Sequence, residues 1–237
     1  MRHLIAFAAS IASLALAGPA FAQADPAPGA PAGTTIVAPS TEARVPNFLG
    51  STGLLAIPSA YVQGRDSASL FIYGTSQFVN GGVLAGIANR LEVGLGILGS
   101  TNGFGRDDVN FLGNAKLNLL AETRNLPAIS VGVIDAFNRL DTGPSWFVVG
   151  SKYFTRTEVE QRFALKGHIG FGGGIYDEEP FFGAELFFTP NLSAMAEYLN
   201  GDINLGGRYS YRGFAATVGL FDFGRLGGGL SYTATFR

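Results

Sequence analysis

Gly229-Leu230-Ser231-Tyr232-Thr233-Ala234-Thr235-Phe236-Arg237 alternates with a period of two. Successive residues of a strand point to opposite faces. Leu230, Tyr232, Ala234 and Phe236 therefore share one face, and Ser231, Thr233 and Thr235 the other. The same alternation recurs upstream. Phe163, Leu165, Gly167, Ile169 and Phe171 oppose Arg162, Ala164, Lys166 and His168; Phe182, Ala184, Leu186 and Phe188 oppose Glu185; Leu91, Val93, Leu95 and Ile97 oppose Glu92. Read between turn residues, the chain divides into twelve strand-length segments: 67–75, 82–88, 91–98, 110–119, 127–135, 145–154, 162–171, 181–188, 192–199, 203–211, 214–221 and 226–236. Glycine (34 residues) and phenylalanine (20) are abundant, a composition that suits strands better than helices.

Alternation alone fits two folds. In a soluble sandwich the apolar face points inward; in a membrane barrel it meets lipid and the charges line the lumen. Three observations favour the barrel. Charged residues make up only 14% of the chain, against a globular norm of about 25%. Residues 1–22 read as a secretory signal peptide: Arg2, an apolar run from Leu4 to Ala17, then Ala20-Phe21-Ala22 as the cleavage pattern before Gln23. The terminal alternating stretch resembles the insertion signal of outer-membrane proteins, with Arg237 following the expected final aromatic, Phe236. Residues 23–47, rich in alanine and proline, read as a disordered periplasmic tail. The expected fold is thus all-β: after a cleaved signal peptide and a disordered tail, residues 48–237 form a transmembrane up-and-down antiparallel β-barrel of about 12 strands. The expected location is the bacterial outer membrane with the N-terminal tail periplasmic, which places the generally longer loops outside: Ser76–Gly81, Gly99–Val109, Ala136–Pro144, Gly172–Pro180, Asn200–Asp202 and Asp222–Arg225.

In that barrel the lumen collects Glu92, Lys116, Lys152, Lys166, His168, Glu185, Glu197 and Arg208. Glu185 and Glu197 flank the turn at 189–191 and are expected nearly opposite one another, with Arg208 on the next strand as their common partner. A network that rigidifies the barrel is the plain reading of these charges; a lining that contacts a saccharide or an ion is the functional one. Chemistry is sparse. Histidine occurs only at positions 3 and 168, and no cysteine is present, so neither a metal site nor a thiol nucleophile is expected. No G-x-S-x-G elbow accompanies His168, and no Gly-Lys-Ser/Thr follows the glycine runs. A net charge of −2 argues against nucleic acid. The reading is of a non-enzyme without cofactors, partnered by outer-membrane lipid and, for insertion, by the barrel-assembly machinery.

One stretch falls outside generic barrel patterning: Gly50-Ser51-Thr52-Gly53-Leu54-Leu55-Ala56-Ile57-Pro58-Ser59-Ala60. With Gly53, Leu54, Pro58, Ser59 and Ala60 at its core, it resembles the opening motif of the YjbH-like family of bacterial outer-membrane proteins. Further matches follow in order: Asn114-Ala115-Lys116, Leu126 to Asp135, Val149-Gly150-Ser151-Lys152-Tyr153, Phe182-Gly183-Ala184-Glu185, Ala196-Glu197-Tyr198 and Asp202 to Gly206. The resemblance implies a barrel that supports exopolysaccharide production, export or surface assembly, with polysaccharide or export proteins as partners and no catalytic residues to carry over. This chain is much shorter than the long members of that family and lacks a lipoprotein cysteine. The alternative is a small porin-like channel for ions or small polar solutes, suggested by the charged lumen. Locally, Gly53 and Pro58 suit a turn leading into the first strand.

Overall fold

Twelve antiparallel strands join neighbour to neighbour and close on themselves, β1 pairing with β12, in a computed structural model that describes residues 44–100, 109–123, 125–154 and 164–236. The strands are β1 (Ser67–Thr75), β2 (Phe78–Ala88), β3 (Leu91–Ser100), β4 (Val109–Leu120), β5 (Ala128–Ile134), β6 (Ser145–Tyr153), β7 (Ala164–Gly172), β8 (Glu179–Thr189), β9 (Leu192–Leu199), β10 (Asp202–Tyr211), β11 (Phe214–Phe221) and β12 (Arg225–Thr235). One short 3-10 turn, Gly174–Tyr176, precedes β8. The predicted leader (1–22), most of the predicted tail (23–43), most of the predicted loop (101–108), and Arg162 and Phe163 lie outside the described residues.

Even strand number brings the start of β1 and the finish of β12 to the same, proximal, end; Ser67 pairs with Thr235 there. The hairpins at 89–90, 190–191 and 212–213 share that end. The loops 135–144, 173–178 and 222–224 lie at the other, distal, end. Register shifts interrupt three ladders near the proximal end, at Gly86/Ala88, Asn118/Leu120 and Phe187/Thr189. Such bulges are common at barrel rims, where they sharpen the twist.

The faces are inverted relative to a soluble protein. Leu95 is 63% exposed on the outside and Val218 65%, while Glu92, Lys116 and Asn114 are buried inside. Aromatic side chains mark both outer rims. Phe214 and Tyr232 meet at 4.6 Å proximally; Trp146 meets Phe171 at 5.7 Å, and Phe182 meets Tyr198 at 6.3 Å, distally. An apolar band between two aromatic girdles is the outer surface of a transmembrane barrel.

Two expectations are corrected. The loop expected over Ser76–Gly81 is only Ser76-Gln77, because β2 begins at Phe78. Gly81-Gly82 reads as a turn, yet Gly81 pairs with Ile72 and Gly82 with Gly96. The barrel unit also begins before Phe48, since Val45 and Asn47, assigned to the tail, are buried.

The segment from Arg44 to Asp66 runs through the lumen. Asn47 folds its first loop: its Oδ1 accepts hydrogen bonds from Leu49 N (3.0 Å) and Ser51 N (3.1 Å), an Asx-type turn. Gly50 then takes φ +85, a conformation open to glycine. A second tight turn spans Gly53 to Pro58, which bridge each other, and Leu54 N donates to Ile57 O at 3.1 Å. A Cβ on Gly53 would lie 2.3 Å from Ile57 O and 3.0 Å from Pro58 Cα. Gly53→Ala therefore forces the turn apart. We expect it to destabilise the segment by about 1–3 kcal/mol, read as faster protease cleavage within 44–66 while the barrel keeps its heat-modifiable gel mobility.

Candidate functional site

The candidate site is the lumen, and the segment at 44–66 divides it into two unequal halves. Distally, Phe48, Leu49, Leu54, Leu55 and Ile57 pack against inward side chains that include Phe71, Tyr73, Leu98, Phe147, Phe181 and Met195. Leu140 and Tyr176 from the distal loops complete this cluster. Phe48 lies 4.9 Å from Tyr73 and 5.0 Å from Phe221. Alongside the expected charges, the distal half of the lumen holds this apolar cluster, set among inward polar residues that include Asn80, Asn110, Glu197 and Asn204. An apolar plug can be buried only against apolar walls, each such side chain contributing about 1.5–3 kcal/mol.

Polar wall residues hold the plug by its backbone. Glu92 accepts from Ser51 Oγ (2.8 Å), Thr52 N (3.1 Å), Thr52 Oγ1 (2.8 Å) and Gln63 N (2.7 Å). Lys116 completes this knot, 3.1 Å from Glu92 and 2.8 Å from Thr52 O. Across the barrel, Glu197 accepts from three consecutive amides, Leu55 N (3.1 Å), Ala56 N (2.9 Å) and Ile57 N (3.3 Å), and from Asn204 Nδ2 (2.9 Å). Successive amides converging on one carboxylate form an anion-binding nest. Arg208 donates to Gly53 O (3.0 Å) and Leu54 O (2.9 Å). These carbonyls and amides belong to one turn, so Glu197 and Arg208 grip it by opposite charges.

Proximally the plug leaves an open vestibule of about 770 Å³. Its wall includes Lys166, His168, Glu185 and Arg208 from the strands and Arg44 and Tyr61 from the plug. Lys166 Nζ sits over the rings of Tyr61 (4.8 Å), Tyr153 (4.7 Å) and Phe187 (5.1 Å) and 3.7 Å from Glu185. Glu185 also meets Arg208 at 3.5 Å and accepts from Ser193 Oγ at 2.8 Å. Tyr61 donates to Glu122 at 2.6 Å; burial, reinforced by that carboxylate, holds its phenol well above the ordinary value and keeps it a donor.

Of the residues expected in the lumen, Glu92, Lys116, Lys166, His168, Glu185, Glu197 and Arg208 are all buried inside. Lys152 is not. Ser151 faces inward, so its neighbour faces out, and Lys152 reaches Thr123 O at 3.2 Å on the proximal rim. A long cationic side chain there keeps its head in water. Glu185 and Glu197 do not oppose each other either. After the bulge Phe187 pairs with Ser193, which sets Glu185 opposite Met195 and Glu197 opposite Gly183. Of the two carboxylates, Arg208 consequently pairs with Glu185, while plug amides hydrogen-bond Glu197. The motif residues Gly53, Leu54, Pro58, Ser59 and Ala60 form the plug rather than a lead into β1. Sequence reasoning missed Asn80, Asn114, Asn118 and Ser130, which bind plug carbonyls of Phe48, Leu49 and Ala60. Two-residue spacing from Lys116 places Asn114 and Asn118 on the same inward face, a signal carried by parity and not by charge. Among the described residues, no group of three or more His, Asp or Glu is placed to hold a metal ion.

No protein-family model and no curated protein matches the chain. Solved structures similar to it include a KdgM porin, 11% identical, with TM-score 0.46 over 72% of this chain and 99% of that one. A KdgM porin in complex with disordered oligogalacturonate is 10% identical, with TM-score 0.47 over the same shares, 72% and 99%. The N-terminal β-barrel domain of Pseudomonas aeruginosa OprF is 13% identical, with TM-score 0.27 over 73% and 100%.

Proposed function

We propose that this chain is a bacterial outer-membrane barrel that works in a closed state, a non-enzymatic envelope protein supporting exopolysaccharide production, export or surface assembly. The observation that carries the closed state is the occupied lumen: residues 45–63 touch walls all around the barrel, from Glu92 on β3 to Glu197 on β9 and Arg208 on β10. The polysaccharide role draws on the resemblance to the YjbH-like family, whose opening motif supplies the plug itself. The plug chain joins β1 at the proximal end; with a periplasmic N-terminus, the vestibule opens to the periplasm.

In planar bilayers the intact barrel is expected to show no discrete conductance steps, whereas a chain lacking residues 45–63 shows them. A strain without the gene is expected to carry altered surface polysaccharide. The polar vestibule favours a second reading, a small porin-like channel. Steady steps from the intact barrel, with surface polysaccharide unchanged in the deletion strain, would establish that reading in place of the first.

A further inference from the structure

We infer that the vestibule is a binding site for an acidic saccharide, with His168 as a donor to the ligand and Arg212 as its charged rim contact. The inference rests on the polysaccharide reading above and names the chemical class that reading leaves open.

Three observations carry it. The vestibule, about 770 Å³, falls within the roughly 300–1,000 Å³ typical of small-ligand sites. Its described wall carries the cations Arg44, Lys166, Arg208 and Arg212 against one carboxylate, Glu185. The third observation is His168, which is 5% exposed and forms part of the wall. Its Nδ1 lies 2.7 Å from Ser151 Oγ, and Ser151 Oγ accepts from Ala60 N at 2.8 Å. Nδ1 is the acceptor that the described residues offer the Ser151 hydroxyl, so the serine proton goes to Nδ1 and the imidazole proton resides on Nε2. Nε2 is buried and has no hydrogen-bond partner among the described residues. A buried donor without an acceptor is costly, and an oxygen-rich ligand in the vestibule satisfies it once the imidazole turns toward the cavity it lines.

The rest of the wall selects the ligand's shape. Tyr61 and Tyr153 present rings, and Ser59, Ser210 and Thr233 hydroxyls. Rings with hydroxyls suit the apolar faces and equatorial oxygens of sugars. A lipid tail would meet a wall of charges and hydroxyls, with Val45 and Leu54 its main aliphatic contacts. Arg212, in the proximal turn at 212–213, lines the vestibule where an anionic chain would arrive.

The test is calorimetric titration of the full-length barrel in detergent with a mannuronate tetramer, a neutral maltotetraose and inorganic phosphate. Saturable binding of the acidic tetramer alone is expected. His168→Phe, which keeps the ring volume, should weaken it about tenfold, and His168→Gln, which restores a donor, should recover most of that. Arg212→Ala should weaken it several-fold and flatten its salt dependence. Heat-modifiable mobility confirms that each variant is folded. Equal binding of maltotetraose, phosphate competing as well as the tetramer, no binding at all, or a His168→Phe barrel with unchanged affinity would overturn the inference. A silent barrel that binds no acidic tetramer loses this inference and keeps the closed-barrel reading; a conducting one with unchanged surface polysaccharide loses that reading whatever it binds.

Discussion

Glu92→Ala is expected to lower the unfolding free energy of the barrel by about 3–5 kcal/mol, the usual cost of stripping one partner from a buried ion pair. Both members of this pair are 1% exposed, so no water replaces the lost carboxylate. The loss is not confined to Lys116. Ser51, Thr52 and Gln63 all donate to the same two oxygens, and each donor would be left buried without an acceptor. The measurement is urea-induced unfolding in lipid vesicles, with the midpoint and slope compared to the parent. Glu92→Gln combined with Lys116→Met removes both charges but keeps an amide oxygen for the plug, and it should recover a large part of the loss. A drop below about 1 kcal/mol for Glu92→Ala, the level of an exposed pair, would mean that the knot is hydrated and does not hold the plug.

Glu197→Ala is expected to act on conductance more than on global stability. The carboxylate is the acceptor for the amides of Leu55, Ala56 and Ile57, at the tip of the turn that also carries the deepest apolar side chains. An unsatisfied buried donor costs about 1–3 kcal/mol. A total near 3 kcal/mol against the seated plug would raise the displaced population about 100-fold. The expected record is intermittent steps in planar bilayers where the parent barrel is silent. Glu197→Gln, which retains one acceptor oxygen, should fall between the two. Uninterrupted silence from Glu197→Ala, at the same inserted amount, would show that apolar packing alone seats the plug and that the nest contributes little.

The wall was legible because its information is local. In β12, Leu230 and Tyr232 alternate with Ser231 at the pleat's own period, and any strand of a barrel must show such a pattern whatever its neighbours are. The same period places Lys116, Lys166, His168, Glu185, Glu197 and Arg208 on inward faces. For Lys152 charge points inward and parity outward, and parity decides: one residue from Ser151, it has to face the other way.

The amino-acid sequence by itself determined the all-β wall, its strand order and which of its faces is greasy, since alternation and turn residues act over a few positions. The plug was decided only by tertiary structure. Residues 44–66 have no repeating pattern, and their amides and carbonyls find partners 29 to 155 positions away, at Glu92, Glu197 and Arg208. Whether a buried backbone group is satisfied depends on what the closed barrel brings beside it, and that proximity exists only after β1 has met β12.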